Sequence, residues 1–268
     1  MMEMFGDPNV WLPFTFAALI GVSILIYVVL DVFDLGVGLL MPLSNDEEKD
    51  RLVASIGPFW DANETWLVLA IGLLLVAFPS AHGVILTSLY LPVAIMLVGL
   101  ILRGVSFEFR AKAPLKQKPF WNGAFFTGSL MTSMSQGFML GMYVMGLTWT
   151  LPHVVFALIT AVFLTVGYSG IGAAWLIAKT DGRLQEKAVG WAKGGIWGLL
   201  LGIGAISLAT PFVSTRILDK WFGFPQLLYL APLPILSAAL LAFLWWKLKR
   251  LPMEGDRFAW TPFAAIMA

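Results

Sequence analysis

The stretch Tyr27-Val-Val-Leu-Asp31-Val-Phe-Asp34-Leu-Gly36-Val-Gly38 lies inside an apolar run from about 12 to 42. A bilayer core of ~30 Å takes about twenty residues of helix, so this run is long enough to cross it. Tyr27, Asp31 and Asp34 stand at i, i+4 and i+7, so a helix places all three on one face. Two acids inside a spanning helix are costly: each charge at the bilayer centre is worth at least ~2.5–3.5 kcal/mol on insertion scales. An acidic face within a membrane span is therefore the first feature to explain.

The composition of the whole chain agrees with a membrane protein. Of its 268 residues 59% are apolar and 12% charged, against about 45–50% and ~25% in a soluble domain. Seventeen Lys and Arg against sixteen Asp and Glu leave no basic surplus for nucleic acid. Cysteine is absent, which excludes disulfides, thiolate metal sites and cysteine nucleophiles. The first eleven residues carry Glu3 and Asp7 but no cation, so they lack the n-region of a secretory signal peptide.

Seven complete spans are predicted, at about 12–42, 56–78, 84–107, 122–148, 153–178, 194–213 and 227–246, with an eighth begun at 258–268. The fold class is all-α: a polytopic transmembrane helical bundle forming a single integral membrane domain over 1–268. Prolines 92, 232 and 234 are expected to kink their helices. The eighth run stops after about ten residues, too short to span, and the expectation is that the chain is a fragment. Cations crowd alternate connections: Lys49 and Arg51, then Arg110, Lys112, Lys116 and Lys118, then Lys179 to Lys193, then Lys247 to Arg257. The other connections hold only Arg216 and Lys220. The positive-inside rule then sets the N-terminus outside.

A second acidic pair follows in Gly57-Pro58-Phe59-Trp60-Asp61-Ala62-Asn63-Glu64-Thr65-Trp66-Leu67, with Pro58 read as a first-turn proline. At about 1.5 Å per residue, both pairs fall in the cytoplasmic half of consecutive helices. Neither of these two spans carries a Lys or Arg. Four carboxylates at one depth without counter-charge favour sharing protons, the property a relay needs. The plainer alternative is that some of them cap a helix, bond to backbone, or pair with Arg103 of the third span. Arg103-Gly-Val-Ser-Phe-Glu108-Phe-Arg110 ends that span, either as a charge-paired terminus or as a collector of protons. In the fourth span Ser129, Thr132, Ser133, Ser135 and Gln136 form a polar stripe, expected to serve interhelical hydrogen bonds. Only His82 and His153 could supply imidazole, and the topology puts both at the outer surface. A haem within the bundle needs an axial ligand pointing inward, so none is expected on this chain. No metal site and no catalytic nucleophile is evident.

In order, spacing and place on the first three helices, these three motifs resemble subunit II of cytochrome bd-type quinol oxidases, including the cyanide-insensitive branch. The resemblance implies a respiratory complex of the bacterial cytoplasmic (inner) membrane that oxidises quinol and reduces dioxygen to water. It places haem b and haem d on the partner subunit I, and implies that subunit II scaffolds that partner and carries protons inward from the cytoplasm. By motif position Asp31, Asp34 and Asp61 match the proton-path acids, and Glu64 stands beside them. Tyr27, Arg103 and Glu108 are accessory candidates. Lipid surrounds the chain; the quinone, its place of binding and any small accessory subunit stay open. A proton-coupled secondary transporter using the same carboxylates is the alternative.

Overall fold

The computed structural model describes residues 7–213, 221, 223–251 and 259–267. Within them the chain is helical, joined by turns. In chain order the helices are α1 (Pro8–Leu39), α2 (Asp46–Ile56), α3 (Trp60–Ala77), α4 (Pro79–Ser88), α5 (Tyr90–Lys112) and α6 (Lys118–Val144). Then come α7 (Leu151–Lys179), α8 (Gly182–Val213), α9 (Gln226–Leu230), α10 (Pro232–Leu248) and α11 (Thr261–Met267). Among the described residues six helical stretches are long and apolar enough to cross a membrane: α1, α3, α5, α7, most of α8, and α9 with α10. The α6 helix is as long but less apolar. Its Asn122, Ser129, Thr132, Ser133 and Ser135 are turned inside, so its polar stripe packs against neighbours.

Three differences from the sequence expectations have local causes. Pro92 and Pro232 lie in the first turn of α5 and α10, where the missing N–H costs nothing, and the breaks fall just before them, at Leu89 and Ala231. Pro234 is the third residue of α10, also ahead of any interior kink. Pro58 precedes α3, which begins at Trp60 with Phe59 as its cap. The eighth run is seen as α11, while 252–258 and 268 lie outside the described residues, as do Arg216 and Lys220. Between the first and second spans the chain also makes a separate charged helix, α2, capped by reciprocal bonds between Asn45 and Glu48.

Helix α1 is the centre. It packs on α3, α6 and α7, while α5, α6, α7 and α8 follow one another side by side. Two glycines set the closest crossing. A Cβ on Gly36 would stand 2.0 Å from the Tyr168 carbonyl oxygen, and one on Gly172 2.3 Å from the Gly36 carbonyl carbon. Only bare backbones pass at that distance, the contact that small residues permit between membrane helices. The α5–α6 crossing repeats the device: a Cβ on Gly128 would meet the Gly99 oxygen at 2.6 Å and the Arg103 nitrogen at 2.7 Å. The main core then fills the α2 end, where Phe33, Val37 and Met41 meet Leu52, Ile56, Phe125, Leu176 and Leu248. Toward the N-terminus of α1, Val10, Phe14, Leu19 and Leu25 are exposed, as suits a helix facing lipid.

Candidate functional site

From Ser129 to Gly38 and from Gly99 to Gly128, tight crossings leave little room between α1, α5 and α6. Into that space α5 projects Arg103, which is wholly buried with Asp31 and Asp34 of α1. Arg103 Nη1 donates to Asp31 Oδ1 at 3.1 Å. Its Nη2 lies 3.8 Å from Asp34 Oδ2, and its Nη1 lies 3.8 Å from Glu64 Oε2 of α3. Asn63, one residue before Glu64, donates through Nδ2 to both Asp34 Oδ2 and the Leu30 carbonyl, each at 2.9 Å. Trp60 sets its ring 6.0 Å from the guanidinium carbon, at the outer limit of a cation–π contact.

Three acids thus share one cation. Among the described residues, Asp31 Oδ2, Asp34 Oδ1 and Arg103 Nε and Nη2 are buried without a hydrogen-bond partner. Burying such atoms costs about 1–3 kcal/mol each, so the cluster is not a stabilising device. Glu64 is its open side, with 20% of its side chain exposed. Asp61 does not join. It lies in the first turn of α3 and is exposed, where a carboxylate suits the positive end of the helix. Glu108 is also exposed, apart from the cluster.

A second polar group extends from the same face of α1. Tyr27 Oη accepts from Gln136 Nε2 at 2.6 Å, and Tyr168 Oη of α7 donates to Gln136 Oε1 at 3.0 Å. Asn63, Tyr168 and the bridging use of Gln136 escape sequence reasoning, because nothing in a single chain says which helices will cross. The amide of Asn63 within the acidic motif is the one signal available there.

The charged connections meet at the α2 end. Glu48 accepts from Lys187 at 2.7 Å, and Asp50 accepts from Arg110 at 2.7 Å and Lys118 at 3.0 Å. Arg51 pairs with Asp181. The Lys187 bond holds the Glu48 carboxyl below its ordinary range, although burial opposes it. Partial burial also raises Asp50, but its bonds from Lys118 and Arg110 outweigh that and leave it lowered. Of the two histidines, His82 sits in the first turn of α4, and His153 holds its Nδ1 on Thr148 at the start of α7. Neither is buried, so these residues do not fit an axial ligand to a haem inside the bundle. Among the described residues no three His, Asp or Glu are grouped to hold a metal ion; the cation at the acid cluster is Arg103.

Comparison with known proteins gives one answer. The chain is 33% identical over 207 residues to the cytochrome bd ubiquinol oxidase subunit 2 of Bacillus subtilis, covering 70% of this chain and 60% of that protein. It is 28% identical over 190 residues to the cytochrome bd-I ubiquinol oxidase subunit 2 of Escherichia coli, covering 67% and 50%. A probable cytochrome oxidase subunit 2 of Haemophilus influenzae matches at 29% over 196 residues, with the same coverage. The chain therefore spans between half and 60% of the length of these relatives. Residues 12–268 match the family of cytochrome bd terminal oxidase subunit II, and the chain belongs to that family.

Proposed function

We propose that this chain is the non-haem subunit of a bd-type terminal oxidase in the bacterial cytoplasmic membrane, with its N-terminus outside. It scaffolds a haem-bearing subunit I, whose haem b and haem d supply the redox chemistry of quinol oxidation and dioxygen reduction. Asp31, Asp34, Asp61 and Glu64 carry protons from the cytoplasmic side toward that partner. The observation that carries this reading is the imbalance at Arg103: three acids face one guanidinium in a buried site. Two surplus negative charges are too costly to hold ionised in an apolar bundle, so the cluster is a place where protons are kept.

Each residue then has a task. Exposed Asp61 meets the proton first, and Glu64, mostly covered and one turn further into α3, receives it. Arg103 keeps the remaining negative charge in place, and Asn63 orients Asp34. The α2 end, where the cationic connections gather, is the cytoplasmic end.

The test is the complex purified from native membranes through a tag on this chain. A reduced-minus-oxidised spectrum with b- and d-type bands is expected in the eluate. Asp34→Asn and Glu64→Gln are expected to slow quinol-driven oxygen consumption while haem content holds. Loss of haem in step with activity would reduce these acids to fasteners. A colourless eluate without a partner would overturn the oxidase reading.

A further inference from the structure

The Tyr27–Gln136–Tyr168 chain has a direction. Tyr168 donates to Gln136 Oε1, the amide turns Nε2 toward Tyr27, and Nε2 donates to Tyr27 Oη. The Tyr27 oxygen is thereby used as acceptor, and its own hydrogen is left to point elsewhere. Tyr27 and Asp31 are one turn apart on the same face of α1, and both are buried. Asp31 uses Oδ1 for Arg103, and among the described residues its Oδ2 has no hydrogen-bond partner. A hydroxyl with a free hydrogen thus stands one helical turn from a buried carboxylate oxygen in need of one.

We propose that Gln136 and Tyr168 are positioning residues that turn the Tyr27 hydroxyl hydrogen toward Asp31, so that α6 and α7 govern proton exchange at an acid of α1. This rests on the proton-carrying reading above. The groups that face Asp31 come from every side: Tyr27 and Asp34 on its own helix, Glu64 from α3, Arg103 from α5 and Tyr168 from α7. Arg103 grips one oxygen from the α5 side. The tyrosine–glutamine chain is the donor offered to the other, which has no hydrogen-bond partner among the described residues. Without Gln136 the Tyr27 hydroxyl is free to rotate, and its hydrogen is no longer committed to Asp31. The amide suits this task because one end accepts while the other donates, which passes the polarity of Tyr168 on to Tyr27.

The test uses the assembled oxidase with Asp31→Asn, Tyr27→Phe, Gln136→Leu and Tyr168→Phe. Haem content, oxygen consumption and the carboxyl region of the redox-induced infrared difference spectrum are measured in each. Asp31→Asn is expected to remove one carboxyl band and to slow turnover. Tyr27→Phe, Gln136→Leu and Tyr168→Phe are expected to keep haem, lower turnover by about 2- to 10-fold and shift that band. Tyr168→Phe removes a single hydroxyl and so remains decisive even where Gln136→Leu fails to assemble. A band that Asp31→Asn abolishes but the other three leave in place overturns the positioning role and spares the proton-carrying reading. An Asp31→Asn oxidase with unchanged turnover and spectrum overturns both.

Discussion

Carboxylates meet cations at two places in this molecule, and the terms differ. Around Arg103 three acids share one buried guanidinium, and both partners keep polar atoms without hydrogen bonds. At the α2 end the acids are outnumbered or matched: Asp50 takes Arg110 and Lys118, Glu48 takes Lys187, and Arg51 takes Asp181. There the contacts are direct and partly exposed, and water and salt screen what remains. The α2 belt ties three connections together at a small gain per pair. The inner cluster gains little from its pairing and sets three acids against a single cation. The same residue types thus give direct, partly exposed pairs where water reaches and an unbalanced buried cluster where it does not.

The largest effect should come from removing the single inner cation. Arg103→Leu leaves three acids unpaired, and breaking a buried pair this way costs about 3–5 kcal/mol. The thermal midpoint of the purified protein in detergent should fall steeply, whereas Lys118→Leu in the belt should cost ~0–1 kcal/mol. Equal losses from the two variants would erase the distinction between the regions.

A second variant tests what encloses the cluster. Gly36→Ala brings a methyl to 2.0 Å from the Tyr168 carbonyl oxygen, so α1 and α7 must part. Overpacking of this kind costs about 1–3 kcal/mol or more. Gly21→Ala on the same helix meets nothing within 4 Å and should leave the midpoint unchanged or higher. Melting curves of the two alanine variants decide this directly. A harmless Gly36→Ala would mean that the crossing does not hold the acids in place.

The inner region is partly legible in the amino-acid sequence. Helical spacing puts Tyr27, Asp31 and Asp34 on one face, and they do share the buried face of α1. Spacing does not reveal that Asp61 spends its charge at the first turn of α3 while Glu64, three residues on, turns inward. That depends on where α3 starts, and Pro58 lies in the turn over 57–59 that precedes it. Arg103 is only one candidate partner on sequence grounds, because a cation near a span end can equally reach the surface. Gln136 reads as one more residue in a polar stripe. Its partners lie on α1 and α7, and only the packing of three helices brings them together. The belt is legible as charge but not as a helix, since α2 is short and owes its start to the Asn45–Glu48 capping box.

That capping box supplies a smaller test of the belt. Asn45→Ala removes the acceptor for the Glu48 backbone N–H, at about 1 kcal/mol for a lost N-cap. The change should appear as faster amide hydrogen exchange across Asp46–Ile56, with oxygen consumption by the complex unaltered. A loss of turnover would mean that the belt reaches into the inner site.

The smallest expected effect is the acid response of the belt, and its sign is fixed by the depressed carboxyls. Glu48 and Asp50 sit below their ordinary values of 4.5 and 3.8, so the unfolded chain binds protons that the folded chain refuses. Their contribution is complete above those ordinary values and is lost as pH falls through the lower folded ones. With Glu48→Gln and Asp50→Asn combined, stability near neutral pH should drop by no more than ~1 kcal/mol per pair, read from the thermal midpoint. The gap from the unaltered protein should then close as the medium is acidified below 3.8, the ordinary value of Asp50. High salt at neutral pH should narrow the same gap, because these pairs stand where ions reach them. A gap that widens on acidification would show that the belt carboxyls are not the depressed, cation-held groups that their geometry makes them.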